Sequence, residues 1–430
     1  MIRQTHWKKR LVVALTGGFL VLNTAVVMAA TVELSLDDSI KMALQNNSSI
    51  KLAAFDKDSA HIAIDVAKGA NGPTLTYTHS SDRSKSSSTY TTYNSFANQL
   101  TLSMDVYTGG KVESEIASAK LDYKVADLSV EESRQQIKLD ATTAYFTILQ
   151  TQNAVQVDQE TVNQMTVHLG NVQAQYAVGT VAKTDLLASQ VTLADDQQTL
   201  TKAQNAYDVA VASFNNVVGL PLSTDLILKD NLSHEPYTMS FADSIKYAML
   251  HRPGITQAEY NIEIAKQAVT TANAGLMPTV GVSATEGLSD DKFAGLDKNN
   301  WSVGLTATWT PFDSGVTKAS IKKAKSNVAK SVETAKQTKD TIELAVRTEY
   351  LTMVEAEKRI GTSQVTVNQA QENLKIAEVR YGAGVGTNTD VIDAQVALTT
   401  AKMNYIQALY DYNTGKASLY KAMGTPVTGK

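Results

Sequence analysis

From Trp301 to Thr310 the chain alternates strictly. Trp301, Val303, Leu305, Ala307 and Trp309 are apolar, while Ser302, Gly304, Thr306, Thr308 and Thr310 are small or polar. A period of two predicts a strand with one greasy face and one wettable face. The same pattern runs over 96–107, where Phe96, Leu100, Leu102, Met104 and Val106 hold the even positions. Weaker strand signals precede each run, near 74–79 and 279–286. The polar stretches 80–93 and 287–300 read as loops. After each hairpin the period changes to 3.6. Segments 111–176 and 316–381 contain no proline and repeat apolar residues at three and four, as in Ile137, Ala141, Ala144, Tyr145 and Ile148. At 1.5 Å per residue such a helix is on the order of 100 Å long, far beyond the width of a compact domain. Each ends in a glycine-bearing turn and returns as a second helix, over 185–218 and 390–423. All seven prolines (73, 221, 236, 253, 278, 311 and 426) fall at boundaries, as helix sterics require.

The pattern occurs twice at a constant offset of 205 residues, which relates Gly110 to Gly315, Tyr176 to Tyr381, Gly179 to Gly384, Asp185 to Asp390 and Pro221 to Pro426. This is a tandem duplication. The first repeat covers 30–221, with a β-hairpin at about 74–107 and a long helix hairpin at 111–218. A linker spans 222–238. The second repeat covers 239–430, with a hairpin at about 279–312 and a helix hairpin at 316–424. Residues 1–29 read as a signal peptide: Arg3, Lys8, Lys9 and Arg10 precede an apolar run over 11–27, and Val27-Met28-Ala29 offers a cleavage site.

The strand lengths suit a tilted membrane strand of roughly 9–11 residues, and the tryptophans sit where an interfacial girdle would need them. Phe96, Leu100, Leu102, Trp301, Val303, Leu305 and Trp309 are then the lipid-facing positions. Four strands cannot close a barrel, and open edges are not tolerated in lipid, so the chain must oligomerise. The expected fold is an α+β membrane protein: a long antiparallel, coiled-coil-like helical barrel plus a β-barrel to which each protomer contributes four strands. A structural periplasmic coiled-coil protein with soluble hairpins is the alternative.

Two sets of motifs carry a family resemblance. The short helices read Ser39-Ile40-Lys41-x-Ala43-Leu44 and Ser244-Ile245-Lys246-x-Ala248-Met249. The turns read Tyr176-x-x-Gly179-x-x-x-x-Thr184-Asp185 and Tyr381-x-x-Gly384-x-x-x-x-Thr389-Asp390. In this ordered set the whole mature chain resembles the TolC family of outer-membrane efflux proteins. The resemblance implies a homotrimer in the outer membrane of a Gram-negative bacterium, with a twelve-stranded barrel and a helical tunnel through the periplasm. It further implies a passive exit duct for drugs, other small molecules or proteins, in tripartite efflux or type I secretion. A periplasmic adaptor and an inner-membrane transporter would meet the tip, where Gly179, Thr184, Gly384 and Thr389 lie. Where the best-known member of the family has an arginine that ties the tip closed, this chain has Gly386, and the family's common Asn-Pro helix break is replaced by Asn47-Ser48 and Arg252-Pro253. Tyr381 and Asp185 remain as candidates for a closing hydrogen bond.

Asp390 fits a capping box with Thr387, and Asp185 invites the same explanation. Asp393 lies one turn deeper, and its counterpart is Ala188. Asp390 and Asp393 therefore make an acidic pair specific to the second copy. In a trimer they would form stacked rings at the entrance that take up protons easily and attract divalent cations. With no cysteine, thiolate metal sites and disulfides are excluded. A net charge of −4, more acidic once the leader is gone, argues against nucleic acid. The six histidines show no ligand spacing, and Gly382-x-Gly384-x-Gly386 follows a helix where a phosphate loop follows a strand. No cofactor, metal or enzymatic activity is expected.

Overall fold

A computed structural model describes residues 32–88, 90–294 and 296–427; the proposed leader lies outside the described residues. The chain opens with β1 (Val32–Leu34), α1 (Leu36–Asn46) and α2 (Ser48–Gly69). Ser35 starts α1 through a capping box with Asp38, and the break between the two helices falls at Asn47, whose Oδ1 accepts the Ser49 N–H at 2.8 Å. In the second repeat Ser240 caps α5 (Phe241–His251), and Pro253 occupies the first turn of α6 (Pro253–Ala274), where its missing N–H costs nothing.

Each α2-type helix runs into a hairpin: β2 (Thr74–Lys85) with β3 (Thr92–Tyr107), and β5 (Thr279–Asp290) with β6 (Lys298–Thr308). The four strands form one antiparallel sheet in the order β2-β3-β5-β6, so the hairpins of the two repeats join through β3 and β5. The ladders extend beyond the expected strands, to Lys85 opposite Thr92 and Ser289 opposite Lys298. Much of the two segments read as loops is therefore strand. Backbone pairing in a hairpin needs no apolar side chain, and serine and threonine sit comfortably in the ladder.

Two helices of 67 residues follow the hairpins, α3 (Lys111–Ala177) and α7 (Val316–Gly382). Both start from a left-handed glycine, Gly110 at φ 90° and Gly315 at φ 87°. They return as α4 (Lys183–Val218) and α8 (Asn388–Ala422). Below the sheet the helices line up as α2-α3-α6-α7, and further down α3 pairs with α4 and α7 with α8, with α8 also lying against α3. Midway along, each repeat has its own core. One gathers Tyr145, Ile148 and Phe214; the other gathers Val346, Met353, Tyr412 and Leu419. Equivalent residues are equally buried, Ser39 with Ser244 and Ala43 with Ala248, all at 0% exposure. The expected linker contains a short strand, β4 (Leu226–Leu228), which pairs in parallel with β1 and ties the start of the chain to the junction of the repeats.

Candidate functional site

At the far end of the helices the two turns close alike. Gly179 N–H donates to Tyr176 O and Gly384 N–H to Tyr381 O, both at 3.0 Å. Both glycines are left-handed, at φ 78° and 73°, and a Cβ on either would meet nothing within 4 Å. Backbone conformation, not space, requires glycine there. Thr184 and Thr389 are exposed at the second positions of α4 and α8.

Behind the turns a polar knot joins the two repeats. Asn388, 4% exposed, donates through Nδ2 to Asp185 O at 3.2 Å, and its Oδ1 accepts from Ser189 Oγ at 3.1 Å. The same Oδ1 lies 2.7 Å from His168 Nε2. With Nδ2 committed to a carbonyl, the amide oxygen must accept, so His168 donates from Nε2. Tyr381 packs beside His168 with ring centroids 5.2 Å apart and ring planes tilted by 54°. Val172, Leu374, Val391, Ala394 and Leu398 complete an apolar plug around these rings.

The expected Tyr381–Asp185 hydrogen bond is not formed. Among the described residues Tyr381 Oη is buried without a hydrogen-bond partner, its ring packed in the plug against His168. Burial first, and the nearby Asp185 carboxylate second, push the Tyr381 hydroxyl above its ordinary pKa. Asp185 does not cap α4 either: the N-cap is Ala182, which has no side-chain oxygen.

Asp390 and Asp393 are both exposed on α8, yet they differ. The capping box is complete: Thr387 N–H donates to Asp390 Oδ2 at 2.9 Å, and Asp390 N–H donates to Thr387 Oγ1 at 3.2 Å. Those bonds, the backbone one foremost, hold the Asp390 carboxyl below the ordinary range, with Arg380 adding to the effect. Within one chain these contacts oppose protonation of Asp390, whereas the expectation of easy protonation concerns carboxylates brought together in a trimer. Asp393 makes no hydrogen bond or ion pair among the described residues and is the freer of the two to meet a solute.

At the sheet end, the ladder groups the alternating residues into rows. Leu75, Leu102, Ala284 and Val303 share one row, and Tyr77, Leu100, Glu286 and Trp301 the next. Leu100 (43%), Leu102 (45%), Trp301 (75%), Val303 (73%), Leu305 (70%) and Trp309 (61%) are exposed to an extent no water-facing sheet would favour. Trp301 and Trp309 stand about 27 Å apart along the strand at 3.4 Å per residue, roughly 20 Å of height at the ~35–45° tilt of a membrane strand, close to the ~25 Å of a lipid-facing band. Phe96 does not belong to that band. It sits beyond Trp301, level with Ser81 and Asp290, and its ring is covered by Phe293 at 5.6 Å. The opposite face carries Thr76, Thr101, Thr285 and Ser302 in one row.

Sequence reasoning missed His168, Ser189, Asn388 and Arg380. Arg380 bends over the turn, its Nη2 3.4 Å from Val385 O, and puts a cation beside the turn that carries Gly386. For His168, Ser189 and Asn388 neither periodicity nor the repeat offset flags the positions, because contacts that join α3 and α4 to α8 have no short-range signature; the Arg380 contact is local, five residues along the chain, and carries no motif that marks it.

The family described as outer membrane efflux protein matches residues 39–220 and 245–425, one match per repeat. Outer membrane protein TolC of Escherichia coli (strain K12) is 23% identical over 402 residues, covering 88% of this chain and 80% of that protein. The alkaline protease secretion protein AprF of Pseudomonas aeruginosa is 24% identical over 431 residues, covering 96% of this chain and 88% of that protein. Among solved structures, the outer membrane protein VceC of Vibrio cholerae has the same fold, with a TM-score of 0.75 at 19% identity, over 90% of this chain and 96% of that one.

Proposed function

The chain belongs to the outer membrane efflux protein family, and from that premise we propose that three copies assemble into a single passive duct through the outer membrane and periplasm. The duct serves a tripartite efflux or type I secretion system. The observation that carries the reading is a four-stranded sheet with an exposed apolar face, both edges unpaired among the described residues, continuous with helices of 67 residues. In the order β2-β3-β5-β6, all antiparallel, β2 and β6 run in opposite directions. The β6 edge of one copy can therefore meet the β2 edge of the next as another antiparallel pair, and three copies make twelve strands with no edge left in lipid. Stacked below, the helices enclose a conduit on the order of 100 Å long.

The tip is the entrance. The turns around Gly179 and Gly384, with Thr184 and Thr389 beside them, meet a periplasmic adaptor, and an inner-membrane transporter supplies the energy. Asp393 projects the free carboxylate that selects cations, while Asp390 keeps α8 anchored and adds field. The test is planar-bilayer recording on the reconstituted protein. Wild type should conduct cations selectively and be blocked by divalent ions. Replacing Asp390 and Asp393 together by asparagine should weaken both properties with trimer yield unchanged. Unchanged selectivity and block would remove these residues from the entrance.

A further inference from the structure

Where the sheet meets the helices, the two repeats part company in charge. The first turns of α7 carry Lys318, Lys322, Lys323 and Lys325, and the 205-residue offset places Glu113, Ala117, Ser118 and Lys120 at the same positions of α3. All four lysines are exposed, and none makes an ion pair or hydrogen bond among the described residues. The acid that precedes them, Asp313, is committed elsewhere: its carboxylate accepts the N–H of Gly315 at 3.0 Å and of Thr317 at 2.7 Å. Directly above, the chain exposes Trp309 (61%) and Phe312 (81%), with Leu276 (46%) and Met277 (49%) beside them. Trp309 is fixed there by its Nε1–H, which donates to Leu276 O at 3.1 Å.

We infer that this patch binds the headgroups of anionic phospholipids in the periplasmic leaflet, with the aromatic rings at the acyl boundary and the lysines at the phosphates. The inference rests on the membrane placement of the sheet. Aromatic side chains favour the interface, and a cluster of lysines just outside it attracts anionic headgroups. The depth fits. From Lys318 to Lys325 the helix descends about 10 Å at 1.5 Å per residue, comparable to one Debye length plus the reach of a lysine side chain.

The flank fits as well. Thr317, Ile321, Ala324 and Val328 form the covered or half-covered stripe of α7, and Asn327, Ser331 and Thr334 help to line a groove shared with Glu132 and Gln257. At 100° per residue Lys318, Lys322 and Lys325 fall on the flank away from that groove and form the headgroup-binding set, whereas Lys323 falls on the groove side. A second copy is the competing occupant, since α2 of a neighbour would lie alongside α7. Its charges match poorly, because Asp65, the one acid in the last two turns of α2, is already paired with Lys68 at 2.9 Å. Farther down α7, Lys336 and Lys339 have protein partners, Glu333 and Glu259. Lys330, Lys358 and Lys375 stand singly along the rest of α7, so among the described residues the membrane end is where four exposed, unpaired lysines fall within eight residues.

Native mass spectrometry of the full chain, extracted from outer membranes in mild detergent, reads the preference directly as phosphatidylglycerol retained relative to phosphatidylethanolamine. Wild type should favour phosphatidylglycerol, and high salt should erase the preference. Lys318→Gln, Lys322→Gln and Lys325→Gln together should lower it on the order of a hundredfold, about fivefold per lysine. The matching triple arginine variant should keep it. A wild-type preference absent, or unchanged in the glutamine variant, overturns the proposal. Loss of the oligomer in the glutamine variant, with lipid preference intact in the remainder, also overturns it and assigns the lysines to contacts between copies. Should no phospholipid of either kind be retained, the lipid proposal fails as well, whereas the membrane placement fails separately if the protein is not recovered in the outer-membrane fraction.

Discussion

Leu305 lies four residues from Trp301 and four from Trp309, about 14 Å along the strand from each at 3.4 Å per residue. It is 70% exposed and shares its row with Met104 and Val282. In the proposed duct this position would be the middle of the lipid-facing band. A Leu305→Arg substitution should cost roughly 2–4 kcal/mol per copy, the penalty for a cation at the bilayer midplane. Because every copy carries it, an assembled barrel bears roughly 6–12 kcal/mol, comparable with the whole stability of a typical domain. Thr306, the next residue, pairs with Gly281 on the other face, where a water-filled interior would accommodate an arginine at little cost. The assay is the yield of heat-modifiable oligomer in the outer-membrane fraction. Leu305→Arg should abolish or greatly reduce it, and Thr306→Arg should leave it near wild type. Equal damage from both, or tolerance of both, would refute the assignment of faces and favour soluble hairpins.

Gly384→Val forces a β-branched residue into a left-handed turn, a local penalty of about 1–2 kcal/mol. Transport should fall with oligomer yield preserved, as measured by substrate export against membrane-fraction immunoblots. Thr387→Val removes the hydroxyl that caps α8 and should cost about 0.5–2 kcal/mol locally, seen as faster amide exchange at the start of the helix. The Asp390 carboxyl is held below its ordinary value by Thr387, so its share of that order is present above the ordinary carboxylate range. It should be lost only as pH falls through the depressed value. Asp158 on α3 and Asp196 on α4 behave in the opposite sense. Burial raises both carboxyls, and Asp158 and Asp195 raise Asp196 further, so this helix pair should tighten as pH falls through the raised values. Asp196→Asn should raise the thermal midpoint at neutral pH and flatten its pH dependence; a lower midpoint would contradict the burial argument.

The long helices, the break at Asn47, the glycine turns at Gly179 and Gly384 and the Thr387–Asp390 box were legible because each has a local cause: periodicity, proline or glycine placement or a spacing of three. The repeat offset added long-range information that one copy could not, since it fixed two hairpins and two helix pairs as equivalents. What escaped was non-local. That Phe96 is roofed by Phe293, that Tyr381 turns to His168 in preference to Asp185, and that Asn388 knots α8 to α3 and α4 all depend on elements distant in sequence. The extra strand over 80–85 escaped for another reason: serine-rich hairpin arms carry no apolar alternation, although their backbones pair as well as any.

The central claim is that the open edges close between copies. With no native cysteine, pairs can be introduced cleanly: Ser302→Cys on β6, combined in turn with Thr74→Cys, Thr76→Cys or Thr78→Cys on β2. Oxidation in intact outer membranes should give, in at least one register, a ladder of dimer and trimer that ends at three copies. A chain that stays monomeric in every register, or a ladder that continues past three, would contradict the closed duct.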